Sequence, residues 1–159
     1  MSATRLPPFQ TLLDAYAADV RRLCFSLAAP ADADDCVQET WLSALQAYPE
    51  LRHGRNLRGW LLTIAARAAT DSHRARVRRP VPVAELPDRA AAGVPVGDDA
   101  LWSQVRRLPA RQRSALALHY VLDLPHREIA ETLGSTPAAS RRLVSDALAR
   151  LRAEMMEPT

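Results

Sequence analysis

Three observations predict an all-α protein of two small helical domains joined by a flexible linker. Apolar residues recur at helical spacing from Phe9 to Ala68, and again from Leu101 to Leu151. Between Pro80 and Asp99 that periodicity lapses into PVPVAELPDRAAAGVPVGDD, a Pro- and Gly-bearing run with linker composition. Nowhere does an alternating pattern argue for a credible strand. The boundaries that follow are a domain over residues 6–79, a linker over 80–99 and a second domain over 100–155.

The first helix is predicted from Phe9, with Leu12, Leu13, Tyr16, Val20, Leu23 and Leu27 on one face, and it ends at Ala28–Pro30. Asp32 offers an N-cap for a second helix whose inward face is Cys36, Val37, Thr40, Trp41, Leu45 and Tyr48, closed near Pro49. After a polar loop through His53 and Gly54, Asn56 can cap a third helix with Leu57, Trp60, Leu61, Ile64, Ala65 and Ala68 inward. Arg58, Arg67, Thr70, Asp71 and Arg74 are left on its outer side. A fourth helix starts from Asp98 or Asp99 with Leu101, Val105 and Leu108 inward, and Pro109 opens a fifth through Leu116, Tyr120 and Val121.

The last stretch, Leu124 to Arg152, reads as two helices broken by a tight turn. Pro125 suits the first turn of one helix, Ile129, Ala130 and Leu133 repeat at helical spacing, and Gly134 can take the positive φ that ends it. Thr136 can cap the next helix and Pro137 can open it, with Leu143, Val144, Ala147, Leu148 and Leu151 following. Two such helices joined by a few residues with a Gly at the bend match a helix-turn-helix, whose second helix enters the DNA major groove. Arg141 and Arg142 stand early on that helix.

Charge separates the first half into two surfaces. Residues 32–51 hold five acids (Asp32, Asp34, Asp35, Glu39, Glu50) and no Arg, whereas residues 52–79 hold eight Arg against the single acid Asp71. A negative face repels DNA and suits a basic protein, while a positive one suits a phosphate backbone. The alternative for the first-turn acids is that they complement a helix dipole. All 21 basic residues are Arg, for a net charge of +3, which fits nucleic-acid contacts but also follows from GC-rich coding. Cys24 and Cys36 fit no metal-ligand spacing and read as apolar fillers, with a regulatory thiol pair as the alternative, so a reducing cytoplasm is expected. His53, His73, His119 and His126 are scattered singly, and no catalytic motif or phosphate loop is present, so neither a metal, a cofactor nor enzyme activity is expected. No apolar run approaches the roughly 18 residues of a membrane span, and the start lacks a signal-peptide core.

At this point the residues carry a resemblance. The segment from Asp32 to Leu42, DADDCVQETWL, and that from Asn56 to Ala65, NLRGWLLTIA, resemble regions 2.2 and 2.3 to 2.4 of bacterial extracytoplasmic-function (ECF) sigma factors. Leu108 to Arg113, LPARQR, followed by Arg127 to Gly134, REIAETLG, resembles their region 4. The resemblance implies a three-helix region 2 core and a region 4 helix-turn-helix. It further implies an alternative sigma factor that binds core RNA polymerase, recognises and melts a restricted promoter set, and is held in check by an anti-sigma factor. Asp32, Asp34, Asp35, Gln38, Glu39 and Leu42 would meet the clamp helices of the β′ subunit. His53, Arg55, Asn56, Arg58, Arg67, Thr70, Asp71 and Arg74 would hold the minus-10 element with a base flipped from the stack. Region 4 would sit on the β flap and bind the minus-35 element through Arg113, Thr136, Ala138, Ala139, Ser140, Arg141, Arg142 and Ser145.

Some positions depart from the family pattern. Ala66 and Arg67 stand where Arg-Asn is common, Leu143 and Asp146 stand where basic residues are common, and Ser140 takes an apolar place. These leave room for an unusual or weak minus-35 contact. Two other readings compete: a stand-alone helix-turn-helix regulator of duplex DNA, and a sigma-like adaptor that docks on polymerase without melting DNA. Trp41 and Trp60 fall on apolar helix faces and are expected in the core, although a Trp near a melted strand could stack on a base.

Overall fold

Leu12, Val20, Leu23, Cys24 and Leu27 draw one buried stripe along α1 (Phe9–Leu27), as their spacing requires. The structure is a computed structural model and describes residues 5–78 and 99–156. The linker therefore lies almost wholly outside the described residues, as does Asp98, one of the two caps expected for the fourth helix.

Pro30–Asp32 make a single tight turn that leads into α2 (Ala33–Ala47). Asp32 stands at the cap position, but its side chain does not cap the helix. A capping side chain reaches back to the first amides from extended backbone, and Asp32 instead has φ −105° and ψ −6°. The inward seam of α2 is Ala33, Cys36, Thr40 and Ala44, small residues that let neighbouring helices come close. Leu45, expected inward, lies one residue off that seam and is 52% exposed.

The Oδ1 of Asn56 accepts the amide of Gly59 at 3.0 Å and so caps α3 (Leu57–Arg78), as expected. This helix buries Leu61, Leu62, Ala65, Ala66 and Ala69, more than one face, because α1 and α2 pack on it and α6 does as well. An aromatic chain ties the first three helices together: Phe9 meets Trp41 and Tyr48 edge-on, and Tyr48 meets Trp60. The Tyr48 hydroxyl also donates to the Pro7 carbonyl. Trp41 and Trp60 pack against the core, in line with the core reading.

The second half comprises α4 (Asp99–Val105), α5 (Ala110–Tyr120), α6 (His126–Leu133) and α7 (Pro137–Met156). Among the described residues there are seven α-helices and no strand. α5 is buried without a break from Arg113 to Leu118, since α1, α6 and α7 surround it. Leu101, expected inward, is 37% exposed in the first turn of α4, and Tyr120, the last residue of α5, is 56% exposed. Pro125 sits just before α6, its extended backbone serving as the cap.

Gly134 takes φ 63° and ψ 47°, and its amide and that of Ser135 both return to the Ala130 carbonyl, closing the helix end. Thr136 Oγ1 accepts the Ala139 amide at 3.1 Å and caps α7. A Cβ at Gly134 would meet nothing within 4 Å, so Gly134→Ala tests backbone strain alone. It is expected to cost about 1 kcal/mol, a fall of roughly 2–4 °C in Tm, measured by circular dichroism.

The two halves are packed together. α3 lies on α6, and α1 lies on α5 and α4. The buried side chains form one contiguous cluster from Val20 to Leu151. The Nε of Arg106 adds a polar tie, donating to the Ala28 carbonyl at the end of α1 at 3.1 Å.

Candidate nucleic-acid and protein interfaces

The acidic residues of α2 form one outward face. Asp34, Asp35, Gln38 and Glu39 are exposed, Asp32 is partly so, and Leu42 continues the row at 55% exposure. Beside it runs an apolar groove of about 460 Å³ lined by Phe9, Leu13, Val37, Gln38, Trp41, Leu42 and Leu45. A groove with an acidic rim can take an apolar helix flanked by basic residues. Sequence reasoning missed Phe9, Leu13 and Leu45 here. The signal was present in Leu42 and Leu45, which are three apart and so share one side of α2, the side on which Leu42 already continues the acidic row.

The basic face belongs to the loop before α3 and to α3 itself. His53, Arg55, Asn56, Arg67, Asp71 and Arg74 are exposed, and Thr70 is half-buried. Arg58, expected to point out, is instead partly buried: its Nε donates to Asp19 of α1 at 2.9 Å, and its Nη1 lies 3.7 Å from Glu128 of α6. Arg67, Thr70, Asp71 and Arg74 line a cleft of about 650 Å³ whose opposite wall includes Arg111, Glu131 and Thr132.

The helix-turn-helix is built from α6 and α7. Arg141, Arg142 and Ser145 are exposed on α7, with Thr136 and Ala138 exposed at its start and Ala139 half-buried. Asp146 is exposed on the same helix, and Leu143 is half-buried. This is the surface that a helix entering a major groove needs.

Residues 12–79 match the family model described as Sigma-70 region 2, and residues 98–151 match Sigma-70, region 4. The ECF RNA polymerase sigma factor ShbA of Streptomyces griseus is 32% identical over 141 residues, covering 78% of this chain and 74% of that protein. The chain belongs to the ECF RNA polymerase sigma factors. SigD of Mycobacterium tuberculosis is 36% identical over 134 residues, and there the match covers 78% of this chain but 63% of the relative's length. In fold, this ECF chain is similar to RpoE of Bartonella quintana, solved in complex with the anti-sigma factor NepR. The TM-score is 0.70 at 24% identity, over 97% of this chain and 100% of that one.

Two residues expected at the DNA face of this ECF chain are not on it. Arg113 is 2% exposed, and its Nη1 donates to the Arg106 carbonyl at 2.9 Å across the bend between α4 and α5. It begins the stretch of α5 that is buried without a break, so its guanidinium turns inward. Burial lowers its pKa from the ordinary arginine value, and the charge of Arg74 adds to the effect. Ser140 is fully buried, its Oγ 2.9 Å from His126 Nδ1, because it occupies the α7 face that packs on α6. The half-exposed His73 is also held below the usual imidazole value, by desolvation and then by Arg113.

The remaining candidates are structural in setting. Cys24 and Cys36 are buried between α1 and α2 with the Thr40 hydroxyl beside Cys24. A hydrogen bond between the thiols lowers Cys24 and raises Cys36, whose burial raises it further. His119 and His126 stack at 4.8 Å inside the helix-turn-helix. No group of three His, Cys, Asp or Glu among the described residues could hold a metal, and no helix among them is long and apolar enough to cross a membrane.

Proposed function

We propose that this chain is an alternative sigma factor of the cytoplasm that directs core RNA polymerase to a restricted promoter set and opens it, with no catalysis of its own. The observation that carries the reading is the placement of three faces: acidic α2 with its apolar groove, basic α3, and the open recognition helix α7. Asp32, Asp34, Asp35, Gln38, Glu39 and Leu42 meet the β′ clamp helices, which supply the opposite charge. The loop from His53 and the exposed side of α3 hold the minus-10 strand, where a flipped base is stabilised by hydrogen bonds to its edge and by stacking. Region 4 rests on the β flap and sets Arg141, Arg142 and Ser145 against the minus-35 element. Arg113 and Ser140 act there as supports for α5 and α7 rather than as DNA contacts.

Both DNA contacts act through one chain, so two modest affinities reinforce each other. An anti-sigma factor, the kind of partner bound to RpoE of Bartonella quintana, holds this chain off polymerase by covering its acidic and basic faces. The domain limits are those read from sequence: 6–79 for region 2, 80–99 for the linker and 100–155 for region 4.

Run-off transcription tests the proposal. Core RNA polymerase with this protein and fragmented DNA of its own genome should give discrete start sites that core enzyme alone does not give. Duplex binding without polymerase and a palindromic footprint would establish the helix-turn-helix regulator instead. Polymerase binding with no starts would establish the adaptor.

A further inference from the structure

The proposed function makes no use of Cys24 and Cys36. They stand on different helices, Cys24 near the end of α1 and Cys36 in the first turns of α2, where the chain doubles back through the single turn Pro30–Asp32. Both are buried, at 0% and 2% exposure, and their thiols share a hydrogen bond across the seam. The fully buried Thr40 completes the group, its hydroxyl 3.6 Å from Cys24 Sγ and donating to the Cys36 carbonyl at 2.7 Å. Two apolar fillers would meet here as any methyl groups do. Two thiols in contact can also give up two electrons together.

Closing a bond between them moves α2. Non-bonded sulfurs stay at least about 3.5 Å apart, whereas a disulfide holds them at about 2.05 Å. The seam is already closed by Ala28, Ala33 and Ala44, all buried, with no large side chain to give way. Drawing Cys36 toward Cys24 therefore turns α2 about its axis. Asp35 adjoins Cys36 and Glu39 lies three residues beyond it, so the exposed acidic face turns with the helix.

We propose that Cys24 and Cys36 are a site of reversible disulfide formation by hydrogen peroxide, and that the disulfide turns the acidic face of α2 out of its polymerase-binding pose. The site stands by itself, while the switch rests on the function given above. Peroxide, scarcely larger than water, enters on local opening of the seam. The hydrogen bond from Cys36, with Thr40 adding to it and burial opposing, holds the Cys24 thiol below its ordinary value and makes it the attacking sulfur. That sulfur takes one peroxide oxygen, the O–O bond breaks, and the departing hydroxide leaves as water with the Cys24 proton. The Cys36 sulfur then attacks the Cys24 sulfenic acid, the S–O bond breaks, and hydroxide leaves as a second water with the Cys36 proton. The thiol pair is oxidised by two electrons and one peroxide is reduced to two waters. A dithiol reductant restores both thiols by exchange.

The test uses the reduced full chain and hydrogen peroxide, with the peroxide removed before any further step. Unfolded in N-ethylmaleimide and weighed, the reduced chain takes up one maleimide on each of its two cysteines, and the oxidised chain should take up none. A peptide map of the monomer should show Cys24 joined to Cys36. Anisotropy titration with core RNA polymerase should give about tenfold weaker binding after oxidation, with full recovery after dithiothreitol. Cys24→Ala and Cys36→Ala, each checked by a thermal melt, cannot form the bond and should bind core enzyme equally before and after peroxide; either one suffices, and both separate the disulfide from oxidised methionine. Full maleimide uptake after peroxide, or a disulfide joining two chains, would overturn the site. An internal disulfide with unchanged affinity would overturn the switch, as would an equal loss of affinity in the alanine variants. A reduced chain with no affinity for core enzyme would overturn the proposed function and the switch with it, while the maleimide count still decides the site.

Discussion

Reversing Asp35 and Glu39 to arginine should weaken capture of core RNA polymerase by about a hundredfold at low salt. The two residues stand four apart on α2 and are both exposed, so they point the same way beside Gln38 and Leu42. Each reversal replaces an attraction with a repulsion against a basic partner, and the low-dielectric groove alongside strengthens both. Raising the ionic strength should narrow the gap between the variant and the wild-type chain, because exposed charges are screened over about 10 Å at 0.1 M salt. The fold should survive. Asp35 lies in the first turn of α2, where its loss costs about 0.3–1 kcal/mol of favourable dipole interaction, and Glu39 accepts only one exposed hydrogen bond, from Ser43 at 3.2 Å. Anisotropy titration of labelled protein with core enzyme, beside a thermal melt, separates binding from folding. A double reversal at Asp14 and Glu154, exposed on α1 and α7, is the matched charge control and should leave binding within about twofold. Equal affinities for all three proteins would refute the assignment of the acidic face.

Local chemistry made much of the fold legible before any coordinates. Asn56, Gly134 and Thr136 each do what their side chains and backbone allow at a helix end, and each depends on neighbours only a few residues away. What could not be read depends on a third body. Periodicity gives α3 one inward face, yet Leu62 and Ala66 are buried as well, since α6 packs on the side that a lone three-helix unit leaves open. The same cause hid the partners of Arg58, which come from α1 and α6. At α2, four small seam residues outweighed the larger Leu45, a packing choice that hydrophobicity alone does not express. Of the candidate site, the exposed charges of α2 and α7 fall where charge patterning put them. Arg113 does not, because it begins the stretch of α5 that is buried without a break, whereas Arg111, two residues before it, stays exposed, and the local sequence gives no sign of that difference.

Replacing Arg113 with methionine should stabilise the protein, the opposite of what a DNA-contacting arginine would lead one to expect. The residue is 2% exposed, its Nε has no hydrogen-bond partner, and no carboxylate pairs with it among the described residues. Its neighbours add to the cost, for Arg74 carries the same charge. A buried cation without a counter-ion is disfavoured by several kcal/mol before any compensation, and here the compensation is one hydrogen bond to the Arg106 carbonyl. Methionine keeps much of the length and fills an irregular gap well, while losing that bond leaves one carbonyl less well satisfied, at about 1 kcal/mol. The balance is an expected gain of about 1–2 kcal/mol, or roughly 3–6 °C in Tm. Glutamine, still polar and shorter, should gain nothing. Duplex binding through α7 should be unchanged in the methionine variant, since its side chain does not reach the exposed face of Arg141 and Arg142. A lower Tm would show that the guanidinium is held by more than its single bond. A loss of DNA affinity at an unchanged Tm would return Arg113 to the promoter-binding face and would require α5 to turn in the bound state.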